Sequence, residues 1–188
     1  MRFDLYSARW QGHVTALADE AFGQGYFSRL SELAAEEGAA LIIGHEGDDE
    51  LLCFAFGSVL PADGLRDHLE GQLPDLPGDI LEADQDGALG VIRAVAVSPA
   101  HRRSGYGTKL IGLMHDRLVG MGADKLIVCF KRSPNVPHVD GMMGKLGFEV
   151  WQRLPSFWRE RCDAGQFHCS DRQGSCNCEA LLYRKTIF

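Results

Sequence analysis

The chain has 188 residues, which fits one domain and leaves no room for two ordinary ones. At 45% hydrophobic and 24% charged it has a globular make-up and can bury a core without disulfides. Its formal net charge of −7 argues against a general affinity for nucleic acid or an anionic membrane, and suits either a cationic partner such as an amine or simply a solvated acidic surface. Met1–Trp10 alternates polar and apolar residues and lacks the basic start and apolar run of a signal peptide. No apolar run reaches the ~20 residues of a membrane helix. The expected location is cytoplasmic, where the six cysteines are expected as thiols or metal ligands rather than a disulfide framework.

In chain order, Phe3–Ala8 reads as a strand and Gln11–Phe22 as a helix with Val14, Leu17, Ala18 and Ala21 at helical spacing. Ser28 is placed to cap a second helix carrying Leu30, Leu33 and Ala34, stopped by Gly38. The apolar runs Ala39–Gly44 and Leu51–Leu60 flank Glu46-Gly47-Asp48-Asp49, a hairpin signal. Pro61–Leu89 predicts a long connection with a short helix near Leu65–Gly71, and a connection of that length is often functional. Val91–Val97 is strongly β-prone, with Arg93 read as a surface residue of the strand. Lys109–Met121 follows as a helix with Leu110, Met114, Leu118 and Met121 on one stripe. Leu126–Phe130 reads as a buried strand, Val139–Leu146 as a short helix ended by Gly147, and Phe148–Leu154 and Ala180–Lys185 as the last strands. Helices and a hairpin followed by alternating strands and helices predict an α/β layered domain.

The chemistry-bearing segment is Val97-Ser98-Pro99-Ala100-His101-Arg102-Arg103-Ser104-Gly105-Tyr106-Gly107-Thr108. A strand ends, a basic glycine-containing turn comes next, and a long helix begins. Such a turn aims several backbone N–H groups at one spot, at the positive end of the helix dipole, and that geometry holds a pyrophosphate. Gly105 and Gly107 let backbone approach a ligand without a Cβ clash, and Arg102 and Arg103 add charge-assisted hydrogen bonds. Gly107 is followed by Thr108-Lys109, not Lys-Ser/Thr, so this is no Walker A loop. It also lacks the three glycines of a Rossmann fingerprint.

Arg102-x-x-Gly105-x-Gly107 resembles the acyl-CoA pyrophosphate loop of the GNAT superfamily of N-acyltransferases. Ile92-Arg93-Ala94-Val95-Ala96-Val97-Ser98-Pro99 is similar to that family's fourth strand, and Lys145-Leu146-Gly147-Phe148-Glu149 to its later helix-to-strand junction. The resemblance implies a single GNAT-like α/β domain over residues 1–188, with a mixed twisted sheet, helices on both faces, and an acyl-CoA-binding core at about 90–150. It implies that two strands splay to admit the acyl-pantetheine arm, bound by the backbone of Val95 and Val97. Amides of Arg103, Ser104, Gly105, Tyr106, Gly107 and Thr108 would then hold the pyrophosphate, and Val95 or Ala96 N–H would polarise the thioester carbonyl. Acetyl-CoA or another acyl-CoA is the implied co-substrate, and a small-molecule or peptide amine the acceptor. Relatives are commonly homodimers.

The resemblance breaks at the proton donor. Family members often carry a tyrosine four residues before the glycine of the Gly-Phe junction, and here that position is Met143, whose thioether cannot donate a proton. Ser133, His138 and Tyr183 are the candidate substitutes, and Asn135 the candidate for an asparagine often found ahead of that helix. Glu82 is the chosen candidate base, acting through water. These gaps leave open a domain that binds acyl-CoA without turnover.

Cys162, Cys169, Cys176 and Cys178 follow the spacing C-x6-C-x6-C-x-C in a polar stretch at 162–178, with His168 beside the second. Thiolates around a structural Zn²⁺ would order such a stretch. Reduced thiols, or a disulfide Cys162–Cys169 or Cys169–Cys176, are the alternatives. Cys53 and Cys129 lie in apolar strands and read as small core residues. The segment allows three further readings: a zinc-ordered substrate loop, a zinc-stabilised interaction surface, or a redox sensor. Trp151, Phe157 and Trp158 beside it read as core or acceptor wall, as do Phe22, Tyr26 and Phe27 between the first two helices.

Overall fold

The computed structural model describes residues 1–25, 27–69, 75–132, 139–166, 169 and 175–187. One seven-stranded mixed sheet runs in the order β1-β2-β3-β4-β5-β7-β6. Its strands are β1 (Arg2–Leu5), β2 (Ala39–Glu46), β3 (Glu50–Val59), β4 (Leu89–Val97), β5 (Lys125–Arg132), β6 (Glu149–Leu154) and β7 (Glu179–Thr186). The helices are α1 (Gln11–Phe22), α2 (Leu30–Ala35), α3 (Leu65–His68), α4 (Gly78–Gln85), α5 (Tyr106–Gly120), α6 (Asp140–Lys145) and α7 (Arg159–Asp163). Among the described residues no helix is long and apolar enough to cross a membrane.

The sequence pattern accounts for most of these elements. α1 buries Val14, Leu17 and Ala18, and α5 buries Leu110, Ile111, Met114 and Leu118, each set on one helical face. The helix expected to begin at a Ser28 cap starts instead at Leu30, with Arg29 in the cap position and no side-chain cap. Two short helices, α4 and α7, are not expected from the sequence. Both lie in polar stretches where only a few residues, such as Ile80 and Ala83 of α4, turn inward. Within the 61–89 connection, the start of α3 is tied to α4. The buried Asp84 of α4 accepts a hydrogen bond from Leu65 N–H of α3 at 2.9 Å, and Asp63 N–H donates to the Asp84 carbonyl at 3.0 Å.

A bulge in β4 decides which side chains face which layer. Phe56 pairs with Ala94 but Gly57 pairs with Ile92, so Arg93 is the extra residue. Before the bulge, Ile92 packs in the core beneath α5, with Met114, Leu126 and Val128. Beyond it, Ala94 and Ala96 pack on the opposite face with Phe54, Phe56 and residues of α1 and α2. Without the extra residue Ile92 and Ala94 would share a face. Glycine is required at Gly57 opposite, because a Cβ there would meet the Val91 carbonyl at 2.8 Å and the Met114 sulfur at 3.0 Å. A third core, on the α1–α2 face, gathers Leu65, Ile80, Val91 and Ile127 with Trp158, Cys176 and Cys178.

Candidate active site

β4 and β5 pair in parallel only from Leu89↔Lys125 to Ile92↔Val128. Both strands continue, β4 to Val97 and β5 to Arg132, on diverging courses. Ser98 N–H donates to Leu52 O of β3 at 2.8 Å. Strand N–H directions alternate, so Ala96 and Ala94 also point at β3, and Val97 and Val95 point at the gap beside β5. The backbone of Val95 and Val97 therefore faces an unpaired groove. Ala96 N–H faces β3, and its side chain is buried at 3% exposure.

At the end of β4 the chain makes a short 3-10 turn, Pro99–His101, and enters α5. Arg103 sits at φ +65° and Gly105 at φ +81°, both left-handed, and the space where a Gly105 Cβ would lie is open. Gly105 occupies the N-cap position of α5 with no side-chain cap, and Lys109 N–H is the donor that bonds back to the Gly105 carbonyl, at 3.0 Å. The amides of Tyr106, Gly107 and Thr108 therefore have no carbonyl one turn behind them. Arg102, Arg103, Ser104 and Gly105 are exposed around this helix start, and Arg102 Nε donates to the Val97 carbonyl at 3.3 Å. Open backbone donors, positive charge and a helix dipole meet on one spot.

Two cavities adjoin the gap. A crevice of about 30 Å³ is lined by Ala94 and Val95 of β4, Cys129 and Phe130 of β5, and Cys176. A larger cavity of about 700 Å³ lies between α2, α3 and α7, with Arg29, His68, Phe157 and Arg161 in its walls. Arg93, Cys129 and Trp158 line both, so the two spaces share a wall at the point where the strands part. The bulge aims Arg93 there. Its guanidinium lies 5.1 Å from the Phe56 ring centroid and 3.9 Å from the Glu36 carboxylate. Strand alternation alone makes Arg93 a surface residue, and no sequence signal marks a bulge of this kind.

His68 closes another side of the larger cavity. Dense surroundings, and then the Arg93 charge, hold its imidazole down to about 3, so it is neutral at pH 7. Although the chain as a whole is acidic, this cavity is lined by Arg29, Arg93 and Arg161 against Glu160. Arg29 and Glu32 form an ion pair at its mouth.

The expected proton-handling residues that the structure describes stand away from both cavities. Glu82 is exposed on α4, and neither cavity is lined by it. Met143, on α6, is fully buried. Tyr183 is buried at 1% exposure, lines neither cavity, and donates its hydroxyl to Asp140; burial first and then that carboxylate push its phenol up. Ser133, Asn135, His138 and His168 lie outside the described residues, as does Tyr26. Of the cysteines, Cys169, Cys176 and Cys178 come together, and Cys162 on α7 stands outside that group while packing on the same core.

A parallel strand pair that parts midway thus stands beside an uncapped helix start and two adjoining cavities. The sequence profile described as "Acetyltransferase (GNAT) family" matches residues 33–148, and the chain belongs to that family. No curated protein matches the sequence. Among solved structures it is similar to an acetyltransferase from Bacillus subtilis in complex with CoA, at 13% identity and TM-score 0.65, covering 100% of this chain and 99% of that one. It is similar to the aminoglycoside 6'-N-acetyltransferase from Enterococcus faecium at 10% identity and TM-score 0.66, covering 100% and 98%. It is also similar to the ribosomal-protein-S18-alanine N-acetyltransferase from Escherichia coli at 13% identity and TM-score 0.64, covering 99% and 93%. At these identities the likeness is one of fold.

Proposed function

We propose that this protein moves an acetyl or similar acyl group from acyl-CoA to an amine, by direct attack within a ternary complex. The observation that carries the reading is the gap beyond Ile92 and Val128, which opens toward the free amides of the α5 start on one side and the larger cavity on the other. A pyrophosphate on the amides of 103–108, with Arg102 and Arg103 beside it, directs the pantetheine arm along Val95 and Val97. The thioester then lies at the wall the two cavities share.

The chemistry asks little of side chains. The neutral amine nitrogen attacks the thioester carbonyl carbon, and a C–N bond forms while the carbonyl electrons move to oxygen. Val95 N–H, facing the gap, stabilises that oxyanion. The oxyanion collapses, the C–S bond breaks, and CoA leaves as a thiolate. The proton lost by the nitrogen passes through cavity water, and the thiolate takes one from water in turn. Proximity in the gap supplies much of the rate. His68, held neutral, accepts a hydrogen bond from the incoming amine and orients it. The three arginines of the larger cavity favour an acceptor, small molecule or peptide, whose far end carries a carboxylate or phosphate.

A panel of amines with and without an anionic group, assayed by release of CoA thiol from acetyl-CoA, tests this reading. Turnover that favours the anionic amines supports it. One feature favours a second reading, a domain that binds acyl-CoA without transfer: the buried Met143 occupies the position where the family resemblance implies a tyrosine. Acetyl-CoA binding without thiol release across the panel would establish it.

A further inference from the structure

The segment joining β6 to β7 places three sulfurs together. The ligand atoms of Cys169, Cys176 and Cys178 all lie within 4.8 Å of one another, and these residues are 7%, 1% and 5% exposed. Cys176 and Cys178 precede β7 at i and i+2, so an extended chain turns both to the same side. Ala180 and Leu182 of β7 continue that side, and all four belong to one core with Trp158. Cys169 comes in from the loop to complete the trio.

The distances have a chemical meaning. With Zn–S bonds of about 2.3 Å, a tetrahedral site sets its sulfurs about 3.8 Å apart. Cys169 Sγ and Cys178 Sγ are 3.8 Å apart. A disulfide would need about 2.0 Å, would consume two of the three sulfurs, and would strand the third in an apolar core. A metal uses all three. Lys131, across the β5–β7 pair, is near enough to act electrostatically on Cys178 and offsets the charge that three thiolates would bring.

We propose that Cys169, Cys176 and Cys178 hold a thiophilic, tetrahedral metal ion of the Zn²⁺ class. The ion ties the 162–178 loop to the start of β7. Cys176 also lines the crevice at the strand gap, so the tie fixes one wall of the cleft. The site stands on the sulfur geometry alone and does not depend on acyl transfer.

The test begins with the reduced, full-length protein equilibrated with Zn²⁺, desalted, and assayed for metal by mass spectrometry. About one ion per chain is expected, falling to near zero in a Cys176→Ser/Cys178→Ser double variant and unchanged in Cys129→Ser, which removes a thiol outside the trio. Cobalt(II) titration of the wild type makes the result independent of whether the double variant folds. Thiolate-to-cobalt charge-transfer bands with tetrahedral ligand-field absorption are expected. Folded wild type that retains no zinc, a cobalt spectrum without thiolate bands, or full metal content in the double variant would each overturn the proposal.

Discussion

Ile92 and Val128 are the last residues at which β4 and β5 pair, and Arg93, the next residue along β4, is the bulged one. The two facts belong together. The bulge ends a regular face of β4 where its partner departs, and it swings a cation into the space the departure opens. Substitutions at that junction, and in the elements around it, have measurable consequences.

Gly105→Glu should weaken acetyl-CoA binding while leaving the fold intact. Its Cβ would meet open space, so the only structural cost is the left-handed φ of +81°, about 1 kcal/mol. The carboxylate would sit where the amides of α5 converge. Calorimetric titration should show affinity weakened by at least about tenfold, equivalent to about 1.4 kcal/mol. Unchanged binding by a folded variant would remove the loop from the site.

Arg93→Met should raise the pKa of His68. Burial is the larger cause of its depression and the Arg93 charge the second, so the expected rise is partial. Linkage sets the sign for stability. Between about 3 and the ordinary 6.5, the unfolded chain binds a proton at His68 that the folded chain does not, so wild-type stability falls as pH drops through that window. The variant should lose less over the same range. Imidazole chemical shifts measured against pH, with melting temperatures at pH 7 and pH 5, check both statements; a variant His68 titrating as in wild type contradicts them.

Gly90→Ala should destabilise the protein without touching the cleft. A Cβ at Gly90 would come to 2.4 Å from Leu126 Cδ2 and 3.0 Å from Ala123 Cβ, in the paired half of β4 and β5. Overpacking of this kind costs about 1–3 kcal/mol, or roughly 2–12 °C in melting temperature. Acetyl-CoA affinity measured below the transition should be unchanged.

Removal of the metal should act on the cofactor as well as on the acceptor. If the ion fixes the wall carrying Cys176, which lines the crevice beside Val95, and Trp158, which lines both cavities, chelation weakens acetyl-CoA binding and raises the acceptor KM, each several-fold. It should also lower the melting temperature by roughly 5–10 °C, as expected for loss of a ligand present at about a hundred times its dissociation constant. An acetyl-CoA dissociation constant and an acceptor KM both unchanged by chelation would place the ion's influence elsewhere.

The exposed basic turn before α5 and most of the sheet were legible in the sequence. Arg102, Gly105 and Gly107 carry local backbone chemistry, and a turn that must point amides at one spot is written into a few adjacent residues. The strands and the α1 and α5 helices were legible because burial on one face imposes a period. Tertiary structure alone decided the rest. The bulge at Arg93 depends on how β3 and β4 register, and nothing in Arg93 or its neighbours announces it. His68 ends the short helix expected near Leu65–Gly71, but nothing in the sequence put it in a cavity wall, and its neutrality arises from what packs around it. Glu82, favoured from its place in the chain, faces solvent because Ile80 and Ala83 take the inward side of α4. The four spaced cysteines suggested a metal, but only the fold brought the sulfurs of Cys169, Cys176 and Cys178 within 4.8 Å of one another and left Cys162 outside that group, since contacts between residues distant along the chain are set by packing rather than spacing.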